Sequence, residues 1–386
     1  MSKARRVSIL GSTGSIGTGA LAVVAAAPAD FDVVGLSAYR NTSLLSEQAA
    51  QFAATRVALG DERGAGDAGL LSGVETLRGA AGLETLASDP DVDLVVNALV
   101  GAAGLGPAMA AVRAGHRLAI ANKESLVAAG ELLTALASVT GSDLVPIDSE
   151  HSAVFRCLRR AHAAEVAGIT LTASGGPLRD VSLDQLPGAT IEDVLRHPTW
   201  EMGAKVTVDS ATMFNKGLEV LEARWLFGLD LDRIDVVVHR ESVVHSLVRL
   251  TDGSMLAHLG DPDMKVPIQY AMYYPDPPTV SFGGRTLAEV GALHFEELDE
   301  SRYPCFALAL EAGRRGGTAP AVAATADEVA VEAFVTRRLA FGRIPDVIER
   351  SLERVPGAEA ESLGAIRAAE TEAGVVAAEL VAEFGT

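Results

Sequence analysis

Six short apolar runs punctuate the first 150 residues, at 7–10, 32–38, 57–59, 94–99, 118–121 and 144–147. Helical patterns lie between most of them. Compact apolar runs alternating with helices predict a parallel sheet with helical crossovers, and an α/β fold. The later runs end in polar or glycine-rich loops, at 100–104, 122–125 and 148–151. Such loops sit at the carboxyl edge of a parallel sheet, where doubly wound folds bind ligands. The stretch 60–88 is rich in Gly and Ala, and its periodicity places no elements.

Beyond residue 149 the pattern changes. A strand is predicted at 169–173, and others at 236–239, 242–250 and 254–259. The Asp252-Gly253 turn makes the last two a hairpin. Tyr274-Pro275-Asp276-Pro277-Pro278 closes that region, and a linker runs to about 298. From Tyr303 onward the chain is rich in Ala, Glu and Arg with helical spacing, which predicts a small helical domain.

A chain of 386 residues has room for two or three domains and an ample core. The N-terminal apolar run is too short for a signal peptide, and no stretch approaches a membrane span. Cys157 and Cys305 have no metal-type spacing and suggest buried thiols, so a cytoplasmic location is expected. A net charge of −19 argues against nucleic acid and anionic membranes as partners. It also makes any phosphate ligand depend on local cations. Lys occurs only at 3, 123, 205, 216 and 265. Three of these, Lys123, Lys205 and Lys216, fall in the motif-dense segments, as compact charges beside a ligand would.

Gly11-Ser12-Thr13-Gly14-Ser15-Ile16-Gly17 follows the first strand and opens an alanine-rich helix. Strand, glycine turn and helix N-terminus together cradle a dinucleotide pyrophosphate on backbone N–H groups. The second strand ends in Tyr39-Arg40-Asn41 in place of the acidic residue of NAD enzymes. An Arg there suits a 2′-phosphate and favours NADP, although a solvated surface arginine reads the same.

Asp148-Ser149-Glu150 puts two carboxylates on one side if the backbone is extended. With Glu219 they make an all-oxygen set suited to Mg²⁺ or Mn²⁺ and unsuited to zinc. The same residues also read as a helix N-terminal cap. Ser174-Gly175-Gly176-Pro177 can turn a hydroxyl and N–H groups toward an anion. The densest segment is 197–220, HPTWEMGAKVTVDSATMFNKGLEV. Lys205 to Asp209 alternates polar and apolar residues, which predicts a short strand, and a helix is predicted from Ser210. On it Asn215, Lys216 and Glu219 share a face. Trp200 and Met202, between prolines and glycine, read either as core residues or as a lid over a substrate. His151, His239, His245 and His258 read as structural histidines.

These motifs together resemble the 1-deoxy-D-xylulose 5-phosphate reductoisomerase family: GSTGSIG at 11–17, ANKES at 121–125, DSEH at 148–151, SGGP at 174–177 and the whole of 197–220. The resemblance spans the chain, and 197–220 is its most specific part. It implies a Rossmann-type NADPH-binding domain over 1–148 and an α+β catalytic domain with a mobile flap over 149–275. A linker at 276–298 and a C-terminal helical bundle at 299–386 would follow. It implies conversion of 1-deoxy-D-xylulose 5-phosphate to 2-C-methyl-D-erythritol 4-phosphate in non-mevalonate isoprenoid synthesis. The implied cofactors are NADPH with Mn²⁺ or Mg²⁺, Co²⁺ also being admissible, and the implied assembly is a homodimer.

Residue by residue, Thr13, Gly14, Ser15 and Ile16 would meet the NADPH pyrophosphate. Tyr39, Arg40 and Asn41 would meet its adenosine end, and Asn122, Glu124 and Gly203 would also touch it. Asp148, Glu150 and Glu219 would hold the metal. Lys123, Ser149 and Glu150 would contact the reacting part of the substrate. Ser174, His197, Ser210, Asn215 and Lys216 would bind its phosphate and hydroxyls, with Trp200 on the flap. Two departures stand out: Tyr39 where the family usually has a small residue, and Ala-Thr-Ala-Asp-Glu at 324–328 where it has an Asn-rich version. On the residues alone two rivals remain. A semialdehyde-type NADP dehydrogenase would need a nucleophilic Cys, yet both cysteines lie outside the polar motifs. A non-catalytic NADP sensor would have no need of the intact acidic and Lys positions.

Overall fold

A computed structural model describes residues 4–61, 73–198, 200 and 202–385. The chain forms two compact units. The first comprises Met1–Ser125, Leu133–Phe155 and Asp263–Gly284. It holds seven strands: β1 (Arg5–Leu10), β2 (Phe31–Ala38), β3 (Arg56–Leu59), β4 (Glu75–Arg78), β5 (Leu94–Asn97), β6 (Arg117–Ile120) and β7 (Leu144–Pro146). All pair in parallel, in the order β4-β3-β2-β1-β5-β6-β7. The six expected runs all appear as strands. The fully buried β5 shows why: a strand covered on both faces reads as a continuous apolar run, here Leu94-Val95-Val96, before the polar Asn97 at its carboxyl end. Within 60–88 the structure adds β4, and 62–72 lies outside the described residues.

Helices α1 (Ser15–Ala26), α2 (Thr42–Gln51), α3 (Gly79–Ala87), α4 (Leu105–Arg113), α5 (Lys123–Thr140) and α6 (Ser149–Leu158) follow in chain order. Strand order reverses at β1, whose neighbours are β2 and β5, so the crevice of a doubly wound sheet opens beyond its carboxyl end. The GSTGSIG turn occupies that point. Gly11 has φ +80°, and a Cβ on Gly17 would lie 2.2 Å from the Gly11 carbonyl oxygen. Two glycines are therefore required for the turn to fold back on the first turn of α1.

The second unit comprises Leu126–Leu132, Arg156–Pro262 and Arg285–Thr386. Its sheet has β8 (Val166–Ala173), β9 (Ile234–Val238), β10 (Val244–Leu250), β11 (Met255–Leu259) and β12 (Glu296–Glu297), in the order β11-β10-β8-β9-β12. β10 and β11 form the expected antiparallel hairpin. The helices α7 (Ile191–Val194), α8 (Ala204–Thr212) and α9 (Phe214–Phe227) precede β9. The chain then returns to the first unit with α10 (Lys265–Tyr273), which packs Ile268 under Gly19 of α1. It ends in the second unit with α11 (Leu287–Val290), α12 (Pro304–Arg315), α13 (Ala319–Val335), α14 (Ile344–Arg354) and α15 (Leu363–Phe384). The helical character expected beyond 303 is observed. Within 276–298 the structure has α11, and β12 pairs with β9.

One element departs from expectation. Residues 205–209 are helical, within α8. Five alternating residues are too few to separate the two periods. In the helix Val208 and Ala211 enter the core together, while Lys205 and Asp209 meet at i, i+4.

We predict that Gly17→Ala lowers stability by about 2 kcal/mol, since its methyl would be forced against backbone that cannot move aside. Thermal unfolding checks this, and loss of NADPH binding should accompany it.

Candidate active site

Two clusters of polar side chains hold most of the expected site residues, one in each unit. In the first unit, Asn122 caps α5, its Oδ1 accepting from the Ser125 N–H at 3.1 Å. Its amide donates to the carbonyls of Leu99 and Gly101, each at 3.0 Å, and to Glu124 at 2.8 Å. Asn122 thus ties the loop after β5 to the start of α5. Next to it, Lys123 Nζ lies 2.7 Å from Asp148.

Asp148 and Glu150 come together by the second of the two backbone readings, a helix start rather than an extended segment. The chain turns into α6 at Ser149, and Glu150 sits in its first turn, where carboxylates are favoured by the helix dipole. Carboxylate oxygens of Asp148 and Glu150 still lie within 4.8 Å of each other. Burial pushes Asp148 up, but the Lys123 ammonium and then His151 outweigh it, so its carboxyl is held well below the usual range. Hard oxygen donors without a thiol fit a divalent cation of the Mg²⁺ class. Ser149 donates its hydroxyl to Glu150. His151 is fully buried, with Nδ1 3.8 Å from Asp148.

At the cofactor end of this unit, Gly14 is the N-cap of α1 and brings no side chain to its first turn, leaving those N–H groups for an anion. Gly14 and Ser15 are exposed, Thr13 and Ile16 half-buried. Arg40 is paired with Asp61 at 2.7 Å, yet its side chain is 70% exposed. Its guanidinium lies over the Tyr39 ring, 4.8 Å from the centroid. Asn41 caps α2 through the Leu44 N–H at 3.2 Å.

In the second unit the SGGP turn ends β8. Gly176 has φ +71°, and a Cβ there would lie 2.4 Å from the Ser210 carbonyl, so the turn and α8 approach each other at backbone distance. Ser174 Oγ lies 3.0 Å from His197 Nε2. His197 Nδ1 accepts the Trp200 N–H at 2.9 Å, so the neutral ring carries its hydrogen on Nε2 and donates to Ser174. Burial, followed by the charge of Arg179, lowers His197 to about 4.

The segment 205–220 is two helices rather than a strand and one helix. Met213, at φ +58°, breaks α8 from α9. A non-glycine residue in this region stores about 1–3 kcal/mol. Beyond the break Asn215 and Lys216 both donate to Glu219, as their shared helical face predicts. Lys216 is buried and also donates to the Thr172 carbonyl at 2.6 Å. Gly203, the N-cap of α8, is exposed. Lys205 differs from the role expected of it: its ammonium is held by Asp209 and by Asp327, the latter at 2.9 Å.

Two residues of this cluster escaped the sequence reading. Arg179 donates to the Ser174 carbonyl at 2.7 Å, and its position two residues after SGGP was the available signal. His245, read as structural, has its ring 6.4 Å from that of Trp200. Its other ring neighbour is His258, at 6.0 Å across the hairpin. Burial foremost lowers both His245 and His258 to about 4.

The family model of 1-deoxy-D-xylulose 5-phosphate reductoisomerase matches residues 7–130. Two C-terminal domain models of the same family match 144–227 and 259–375. Among curated relatives, the 1-deoxy-D-xylulose 5-phosphate reductoisomerase of a Synechococcus species is 48% identical over 353 residues, 90% of each chain. That of Pelotomaculum thermopropionicum is 48% identical over 354 residues, 91% of this chain and 92% of its own. The Zymomonas mobilis reductoisomerase in complex with NADPH superposes with a TM-score of 0.90 at 37% identity, covering 98% of this chain and 99% of that one. A reductoisomerase bound to NADPH, fosmidomycin and magnesium gives 0.91 at 37% identity, covering 98% of both.

The lowered histidines make a prediction. His197, His245 and His258 should titrate with midpoints of about 4 in ¹⁵N-histidine NMR spectra of the free protein. Each folded value lies below the ordinary value of about 6.5, so stability is full above that pH and declines as pH falls through 4. An ordinary midpoint for His197 would refute its neutral, Ser174-donating state.

Proposed function

The chain belongs to the 1-deoxy-D-xylulose 5-phosphate reductoisomerase family, and from that premise we propose how its own side chains serve the reaction. The activity is the NADPH- and divalent-metal-dependent rearrangement and reduction of 1-deoxy-D-xylulose 5-phosphate to 2-C-methyl-D-erythritol 4-phosphate. The observation that carries the residue roles is the Lys123–Asp148 pair beside Glu150, at the carboxyl edge of the parallel sheet.

When bound, the metal supplies Lewis-acid polarisation of the substrate's ketone and hydroxyl oxygens, and NADPH supplies the hydride. Asp148, Glu150 and Glu219 are the carboxylates that hold the metal. The Lys123 ammonium, kept in place by Asp148, offsets negative charge developing on substrate oxygen. Ser149 and Glu150 orient the reacting part of the substrate. Ser174, His197, Ser210, Asn215 and Lys216 bind its phosphate and hydroxyls. His197 does so as a neutral donor aligned through Ser174, and Lys216 as a charge-assisted donor. Trp200 closes over the substrate and excludes water. The first-turn N–H groups of α1, with Thr13, Gly14, Ser15 and Ile16, take the NADPH pyrophosphate. Tyr39, Arg40 and Asn41 take the adenosine end, and Asn122, Glu124 and Gly203 border the cofactor. Asn122 supports this by fixing the loop after β5. The proposal extends to a homodimer acting in the cytoplasm. In its support, no described helix is long and apolar enough to cross a membrane.

NADPH oxidation with 1-deoxy-D-xylulose 5-phosphate, with and without Mg²⁺ or Mn²⁺, tests the reading. Turnover should vanish with a chelator. Glu150→Gln and Glu219→Gln should each lose at least about 100-fold in kcat, the scale of removing one electrostatic partner of a reacting group, while retaining NADPH fluorescence binding. Full activity in either variant would remove that residue from the metal set. Arg40→Ala should raise KM for NADPH about tenfold, the worth of one charge-assisted contact, and leave KM for NADH unchanged.

A further inference from the structure

Beneath α8 lies a buried charged group that the reaction does not use. Lys205 Nζ donates to Asp327 at 2.9 Å and to Asp209. Asp327 is fully buried and Asp209 is 2% exposed. Asp327 stands on α13. Two carboxylates therefore share one ammonium. A second uncompensated negative charge inside a core is not sustained, and such a site takes up a proton instead. The remaining oxygen of Asp327, Oδ1, has no hydrogen-bond partner while both acids are ionised.

We infer that Asp209 and Asp327 share one proton under Lys205, and that this neutralised pair is the positioning element that holds α8 against α13 so that Ser210 faces the substrate's phosphate. The inference rests on the reading of Ser210 as a phosphate contact. α8 runs from Ala204, behind its exposed N-cap Gly203, to Thr212, with Lys205 and Asp209 on one face and Ser210 next to Asp209. Ser210 also meets the Gly176 turn at backbone distance, so a shift of α8 moves it relative to Ser174. Pinning α8 from below fixes both contacts.

The charged surroundings agree. Burial first, then Asp209 by charge, raise Asp327 well above the usual carboxylate range, and Lys205 only partly offsets them. From α12 the Cys305 thiol faces the pair. Burial, then Asp327 and Asp209, push that thiol up, so it stays neutral and adds no charge. Asp346 of α14 acts on Cys305 more weakly. Glu370 of α15 has Arg367 and Glu328 as its charged neighbours. Lys205 is the cation that both acids contact. An acid whose folded value is raised binds its proton on folding. The pair is intact at low and neutral pH, and stability falls as pH rises from about 4 toward the folded value.

The test compares wild type with Asp327→Asn, which keeps the shape and a hydrogen-bond donor without the proton. Both are assayed with Mg²⁺ and NADPH from about pH 6 to about pH 10, a range above the ordinary carboxylate value. At neutral pH kcat should agree within a factor of about two, the scale of a surface-sized perturbation. Toward alkaline pH the wild-type KM for 1-deoxy-D-xylulose 5-phosphate should climb by up to about tenfold per pH unit relative to the variant, the slope for loss of one proton. The infrared difference spectrum of wild type minus Asp327→Asn should show a protonated-carboxyl band at neutral pH, the contribution of Glu370, itself raised to about 7, cancelling in the difference. Absence of that difference band overturns the shared proton. Superimposable KM profiles with a differing pH dependence of Tm overturn the positioning role, leaving stability alone. Ser210→Ala separates the two readings. If it leaves KM unchanged, the phosphate role of Ser210 has failed. If it raises KM while the two pH profiles coincide, only the present inference has.

Discussion

A buried carboxylate must find a cation or a proton, and in this acidic chain that requirement organises both clusters. The net charge is −19 and there are only five lysines. Three of the five are committed to acids at half-buried or buried positions: Lys123 to Asp148, Lys205 to Asp209 and Asp327, and Lys216 to Glu219. Removing water from such pairs is costly, and their attraction repays it only when the geometry is good and the remaining lone pairs are satisfied. These pairs are weak grounds for stability and strong grounds for specificity of position. Each pins a different turn: the entry to α5, the middle of α8 and the first turns of α9.

The three pairs are not equivalent. Lys123–Asp148 places one cation against one acid beside a second carboxylate, leaving oxygens of Glu150 near those of Asp148. Lys216 donates to Glu219 and to the Thr172 carbonyl, so it fastens α9 to the end of β8 as well as carrying charge. Lys205 faces two acids, and a proton has to complete the group. Ordinary electrostatics thus sorts similar-looking lysines into one beside two carboxylates, one that fastens α9 to β8 and one shared by two buried acids.

Much of the architecture was legible because burial on both faces leaves a continuous apolar run. All six strands read from the first 150 residues exist, as do the β10–β11 hairpin and the C-terminal helices. What failed did so where periodicity is too short to discriminate. Lys205 to Asp209 alternates as a strand does, but its partners lie at i, i+4 and on α13, more than a hundred residues away. At 148–150 the residues alone left an extended segment and a helix start both open, and the structure has the helix start. Arg179 and His245 were passed over for a related reason: their relevant neighbours, Ser174 and Trp200, are set by a turn and by the end of a strand. The return of 263–284 to the first unit, with Ile268 seated under Gly19, has no local signal at all.

Backbone freedom completes the argument. Gly176 at φ +71° lets the end of β8 approach the Ser210 carbonyl, and Met213 at φ +58° stops α8 two residues before Asn215. A continuous helix from Ala204 to Phe227 would turn Ser210 and Asn215 about 140° apart, at 100° per residue over five residues. The break lets side chains from α8 and α9 be aimed independently, at the cost of one strained residue. That strain is sustained by what surrounds it: Met213 itself is 2% exposed, and Phe214 beside it is fully buried. Packing of those two side chains into the core holds the break open, so the aim of the polar residues is set by apolar contacts behind them.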